Sequence, residues 1–331
     1  MKKLFLYSFL IIFQLFSAQT PSVFTATNLE NITYPYPVHY LPLTIQGEKL
    51  QMAYMDAHPT KPNGKVVLLL HGKNFNGAYW EQTAKDLTQN GYRVIIPDQI
   101  GFGKSSKPNH IQYSFQLLAR NTKKILDTLQ ISKTAVLGHS MGGMLATRFT
   151  LMYPETVEKL ILENPIGLED WKLKVPYQTV DDWYKTEINQ TYESLKKYQL
   201  VFYYDNKWKP EYDRWVNIAA GWTTNLDYPR IAWNSALLSD MIFTQPVCYE
   251  FENIEALTLL IIGQRDRTAL GKANAPKAIQ NTLGNYPVLG KETAKKIKNS
   301  RLIEINNVGH LPHIEAYPQF ISPLLEFLKP N

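Results

Sequence analysis

The sequence predicts an α/β fold, a mainly parallel central sheet with helices on both faces. Three observations predict it. Short apolar runs of strand length alternate with longer stretches whose apolar residues recur at helical spacing. Turn-forming residues separate the two kinds of segment, which is the pattern of a sheet covered by crossover helices. One long stretch, residues 166–250, breaks the rhythm and reads as a mostly helical insertion between two core strands.

The elements follow in chain order. Residues 39–44 and 51–56 form a leading antiparallel hairpin around Gly47. Residues 66–70 are a continuous apolar run, the pattern of a buried strand. A helix over 79–90 comes next and is ended by Gly91, the residue best suited to the left-handed position past a last turn. Residues 92–97 are the following strand. Phe115, Leu118, Ala119, Thr122, Ile125 and Leu129 share one face of a second long helix. Residues 134–137 are a strand, and Met141, Leu145, Phe149 and Met152 mark the helix behind it. Residues 160–162, 257–262 and 302–305 supply the remaining strands, and Phe320, Leu324 and Leu328 line the last helix.

Composition bounds the function. A chain of 331 residues with 44% hydrophobic and 19% charged residues buries a real core and is not disordered. A single Cys, Cys248, excludes a disulfide scaffold and any Cys-based metal centre. The formal charge of +6 is mild and does not by itself call for nucleic acid. The positive excess is local. Between Arg267 and Arg301 the only acid is Glu292, whereas the 166–250 insertion is net acidic. Tyr286 is the one aromatic in the basic stretch, which argues against nucleic-acid binding. It reads as solvated helix faces, with a patch for an anionic membrane or polysaccharide as the alternative. The insertion also holds all of the seven Trp except Trp80. Most of these aromatics build its own small core, and a subset lines a cleft.

Residues 1–18 have the three-part layout of a secretory signal peptide. Lys2 and Lys3 are followed by an apolar run from Leu4 to Phe16, then by the small residues Ser17 and Ala18. The run is too short to span a bilayer, which takes roughly 20 apolar residues. Cleavage is expected near Ala18, giving a secreted or periplasmic protein with no stable membrane insertion. The α/β core is then expected over 19–165 and 251–331, with 166–250 as a separate helical unit.

The most specific signal is Gly138-His139-Ser140-Met141-Gly142, a G-x-S-x-G pattern after a strand and before a helix. Such a serine sits on a sharp turn, with small residues two before and two after so that the chain passes close by. The helix that follows points free N–H groups at developing negative charge. Ser140 is therefore the candidate nucleophile. His71-Gly72-Lys73-Asn74 ends the 66–70 strand, and a turn there aims the Lys73 N–H at the same oxygen as the Met141 N–H, making a two-donor oxyanion hole. His71 itself reads as structural. His310, on a short loop after the last strand, is the candidate general base. Asp266, just past the 257–262 strand, is the candidate acid that orients it, with Glu163 at the end of another strand as rival. His313 reads as a supporting or surface residue.

With these residues in view, the chain resembles the α/β-hydrolases, and more narrowly the cap-bearing serine hydrolases that include esterases, carbon–carbon bond hydrolases and relatives of epoxide hydrolases. The resemblance rests on H-G-K-N at 71–74, P-D-Q-I-G-F-G-K-S-S at 97–106, G-H-S-M-G-G at 138–143, G-Q-R-D at 263–266 and G-H-L-P-H-I-E at 309–315. It implies that 166–250 is a lid inserted after the sixth strand, that Asp98 ties down its own loop, and that the order Ser140, Asp266, His310 is a catalytic triad. It also implies hydrolysis of an ester, thioester or lactone with an apolar acyl or aryl group through an acyl-enzyme, with no cofactor and no metal. The same triad serves carbon–carbon hydrolysis and perhydrolysis, and a binding protein on an inactive scaffold is a further alternative. Epoxide hydrolases and haloalkane dehalogenases of this kind carry Asp at the nucleophile position, where this chain has Ser140. Lys73 departs from the aromatic or small residue often found after His-Gly.

Overall fold

The computed structural model describes residues 24–329; the expected signal segment lies outside them. The core is an eight-stranded sheet: β1 (Val38–Ile45), β2 (Glu48–Ala57), β3 (Val66–Leu70), β4 (Arg93–Pro97), β5 (Thr134–His139), β6 (Val157–Glu163), β7 (Leu257–Gly263) and β8 (Ser300–Ile305). Its spatial order is β1-β2-β4-β3-β5-β6-β7-β8. The β1–β2 hairpin is antiparallel and β2 joins β4 antiparallel, while every pairing from β4 through β8 is parallel.

Side chains alternate between the two faces of a strand, and the core divides accordingly. Leu68, Leu70, Val136, Leu160, Leu162, Leu260 and Ile262 face one cluster, closed by α2 (Phe115–Thr128) and α3 (Met141–Met152) through Leu118, Ile125, Leu145 and Phe149. Val67, Leu69, Leu137, Ile161, Leu259 and Ile261 face the other, closed by α1 (Glu81–Gln89) with Ala84 and Leu87, and by the C-terminal helix (Tyr317–Leu328) with Phe320 and Leu324. The expected 79–90 helix begins as a tighter turn over Gly77–Trp80 before α1. Gly91 has φ 87°, the left-handed ending that its position called for.

Between β6 and β7 the chain is helical: α4 (Val180–Ile188), α5 (Tyr192–Tyr198), a wide π-type turn over Gln199–Tyr203, α6 (Asp213–Trp222) and α7 (Tyr228–Thr244). Its aromatics pack on one another. The rings of Tyr204 and Tyr212 stack 3.7 Å apart, and Trp208 meets both edge-on. An N-terminal strap also ties this insertion to the core. Thr25 Oγ1 donates to the Ile218 carbonyl and Thr27 Oγ1 to Asp227, while Tyr34 donates to Asp98. Among the described residues, no helix is long and apolar enough to cross a membrane. Lys295, Lys296 and Lys298 of the basic stretch are exposed to solvent.

Candidate active site

Ser140 occupies the junction of β5 and α3 with φ 57° and ψ −122°. A non-glycine residue with positive φ is strained, and here the helix, strand and loops around it impose the conformation. Close packing allows the turn. A Cβ on Gly142 would lie 2.2 Å from the Leu70 carbonyl oxygen, and one on Gly72 would lie 2.9 Å from Ser140 Cβ. The His71–Asn74 loop is thus pressed against the turn at Ser140. Met141 is the first residue of α3, so its N–H has no acceptor within the helix and is available beside Ser140.

Loops beyond β7 and β8 bring the other two residues to the serine. Ser140 Oγ lies 2.9 Å from His310 Nε2, and His310 Nδ1 lies 2.6 Å from Asp266 Oδ2. All three residues are buried, Ser140 retaining 6% exposure. Asp266 accepts two further hydrogen bonds. Its Oδ2 takes a hydrogen bond from Asn164 Nδ2 at 2.8 Å, its Oδ1 takes one from the Thr268 N–H at 2.8 Å, and Asn164 Oδ1 in turn accepts from the Gly263 N–H. Burial pushes the Asp266 carboxyl up, but the facing His310 and the Thr268 N–H outweigh it and hold the group below the usual carboxylate range.

Glu163 does not reach His310. Its Oε1 lies 2.8 Å from both the backbone N and the Nδ1 of His313, which makes a second buried His–carboxylate pair. His313 is therefore interior, packed against the rings of Trp80 and Tyr79 at 4.5 and 4.6 Å. His71 is structural, accepting the Gln99 N–H on Nε2. Asp98 ties its loop as the resemblance implied, accepting from the N–H groups of Gly77 and Lys104 and from Tyr34.

The side chain of Lys73 turns into the insertion. Its Nζ lies 2.8 Å from Glu187 Oε1 on α4 and 2.8 Å from Ser235 Oγ on α7, with 13% of the side chain exposed. Tyr203, from the π-type turn, stacks on the His310 ring at 5.1 Å and 21°. Neither Tyr203 nor Asn164 stood out in the sequence. An Asn directly after a strand was a faint signal for the second; the first was one Tyr among many.

The buried imidazoles make stability depend on pH. Burial pushes His71, His139 and His313 down, the latter two strongly, with the facing His310 adding to the shift of both. His139 and His313, shifted furthest, are neutral in the fold and protonated in the unfolded chain below pH 6.5. Each therefore costs roughly 1.4 kcal/mol per pH unit below that value. Glu163 acts in the opposite sense. Burial raises it to about 7, so it stabilises the fold at low pH and loses that contribution as pH rises through 4.5–7. The two strongly shifted histidines outweigh one carboxyl. The melting temperature is expected to fall by several degrees between pH 7 and pH 5.5, and a flat calorimetric profile over that interval would contradict this account.

A family model described as "alpha/beta hydrolase fold" matches residues 65–189. A solved structure of a "probable hydrolytic enzyme" from Pseudomonas aeruginosa PAO1 is 51% identical, covers 95% of this chain and 100% of its own, and superposes with a TM-score of 0.92. Lipase 3 of Moraxella sp. (strain TA144) is 29% identical over 82% of this chain and 78% of its own. The 2-hydroxy-6-oxo-6-phenylhexa-2,4-dienoate hydrolase of Burkholderia cepacia is 33% identical over 47% of this chain, and the match spans 57% of that relative's length. The chain spans little more than half the length of several curated relatives of this kind. The chain belongs to the α/β-hydrolase family.

Proposed function

We propose that the protein is an exported serine hydrolase that cleaves a carboxylic ester, thioester or lactone bearing an apolar acyl or aryl group. The observation that carries the reading is the unbroken line from Ser140 Oγ to His310 Nε2 at 2.9 Å and from His310 Nδ1 to Asp266 Oδ2 at 2.6 Å. His310 Nε2 takes the serine proton as Oγ attacks the carbonyl carbon. Asp266 holds the Nδ1 hydrogen in place and balances the imidazolium charge. The negative charge that develops on the carbonyl oxygen is met by the Lys73 and Met141 N–H groups, a donor of this kind being worth about 3 kcal/mol. His310 then protonates the leaving group, and the acyl-enzyme is released by water that His310 activates.

In this reading the 166–250 insertion is the lid. Tyr203 over the base and Lys73 held by Glu187 and Ser235 close it over a serine that is 6% exposed, so substrate enters when these contacts part. An insertion so rich in aromatics favours apolar acyl groups. A second reading keeps the same residues and cleaves a carbon–carbon bond. The relative from Burkholderia cepacia, named for such a dienoate substrate, favours it.

The test is a substrate panel of p-nitrophenyl esters of graded chain length, lactones and an aryl diketone, together with fluorophosphonate labelling. Ester turnover with labelling at Ser140 is the expected result. Turnover of the diketone alone would support the second reading, and folded protein that neither labels nor turns over any substrate would sink both. Export is tested by sequencing the N-terminus of the protein recovered outside the cytoplasm, with Gln19 as the expected first residue.

A further inference from the structure

Behind the triad lies a group of buried polar side chains that the hydrolytic steps leave unused: Tyr79, His139, Glu163 and His313. Two of them form a directed chain. His139 Nε2 lies 2.7 Å from the carbonyl oxygen of His310. A carbonyl only accepts, so His139 Nε2 carries the hydrogen. The ring is buried and neutral, which leaves Nδ1 bare. Tyr79 Oη lies 3.0 Å from that nitrogen and donates to it. Having used its only hydrogen, the Tyr79 oxygen accepts the N–H of Gly72 at 2.9 Å. Every role in the line Gly72 N–H, Tyr79 O–H, His139, His310 C=O is thereby determined.

The ends of this line are informative. Gly72 immediately precedes Lys73, whose N–H is one of the oxyanion donors. The far end is the main chain of the catalytic base. The middle member, His139, is the residue before the nucleophile. One run of hydrogen bonds thus spans the three loops that must hold register for the reaction. The rings are fixed from the sides, Tyr79 stacking on Phe75 at 5.0 Å and His139 lying 4.9 Å from the His310 ring. Glu163 adds a parallel tie from behind. Its carbonyl accepts the Ser140 N–H at 3.3 Å, while its carboxyl holds the His313 N–H on the loop of the base.

We propose that Tyr79 and His139 are positioning residues for the reaction, locking the oxyanion loop and the loop of the catalytic histidine to the nucleophile turn. The inference rests on the serine-hydrolase reading above. A role in stability alone would satisfy the buried Gly72 N–H and His310 C=O without affecting the chemistry, so the test separates the two.

Tyr79→Phe removes the hydroxyl and keeps the ring. His139→Leu removes the donor to His310, and His139→Gln retains one, its amide nitrogen replacing Nε2. Hydrolysis of p-nitrophenyl butyrate is measured on protein shown to be folded by circular dichroism. Tyr79→Phe and His139→Leu are expected to lower kcat about 10- to 100-fold with KM little changed, the scale of a small misplacement of catalytic groups. His139→Gln is expected to retain most of the activity. Wild-type kcat in folded Tyr79→Phe, or a His139→Gln as poor as His139→Leu, overturns the proposal. If His139→Leu does not fold, Tyr79→Phe decides alone. Wild type that fails to label with fluorophosphonate and to hydrolyse the ester overturns the underlying reading, and the proposal falls with it. Active wild type with an unaffected Tyr79→Phe overturns the positioning role only.

Discussion

Ser140→Ala is expected to abolish fluorophosphonate labelling and to lower ester hydrolysis about a million-fold, down to the residual rate that binding and the oxyanion donors sustain. The change deletes the attacking oxygen and little else. The Ser140 hydroxyl makes its hydrogen bond with His310, and alanine fits the same space at φ 57° with the same strain. The loss is therefore chemical, not structural, and the melting temperature should stay within a few degrees of wild type. Calorimetry and labelling on one preparation check both halves. Labelling that persists in folded Ser140→Ala would place the reactive group elsewhere.

Asp266→Asn is expected to lower kcat about 10,000-fold, the scale known for this exchange in a serine triad. Two hydrogen bonds explain why. Asp266 Oδ2 faces both His310 Nδ1 at 2.6 Å and Asn164 Nδ2 at 2.8 Å, each a donor. An amide nitrogen there meets both donors, and an amide oxygen there brings no charge to balance the imidazolium. His310 is then left in the wrong tautomer or without its counter-charge. Glu163→Gln is expected to cost far less, about tenfold or under, by contrast with the loss of a triad member. Burial already raises Glu163 to about 7, so a neutral isostere differs little from its protonated form. The pair of kcat values at neutral pH is the measurement. A large loss in Glu163→Gln with near-normal Asp266→Asn would reverse the assignment of the acid.

Much of the site was legible in the linear chain because its chemistry is local to short motifs. The turn at Ser140 needs small neighbours at 138 and 142, a strand before and a helix after, and all of these are written within a few residues. Asp266 and His310 each follow an apolar run, so their place at the strand ends could be read from the pattern of the sheet. The choice between Asp266 and Glu163 could only be weighed. Both carboxylates end or follow a parallel strand, and what separates them is that His310 lies beside one and His313 beside the other.

Other features were invisible for the same reason. Tyr203 lies over His310 and Asn164 steadies Asp266 across more than 100 positions of sequence, |i−j| being 102 for the second pair. Lys73 could be flagged as unusual, yet nothing near it named Glu187 and Ser235 as its partners. The N-terminal strap holding α6 and α7 gave no periodic signal at all.

The sequence by itself determined the layers, the strand–helix order and the candidate nucleophile, base and acid, because alternating burial and tight turns leave short-range marks in residue type. Only the tertiary structure decided which carboxylate serves which histidine, how the insertion covers the serine, and how Tyr79 and His139 join the three loops. Those outcomes depend on which side chains meet across the sheet ends once the strands are in register, and no local spacing encodes a meeting of that kind.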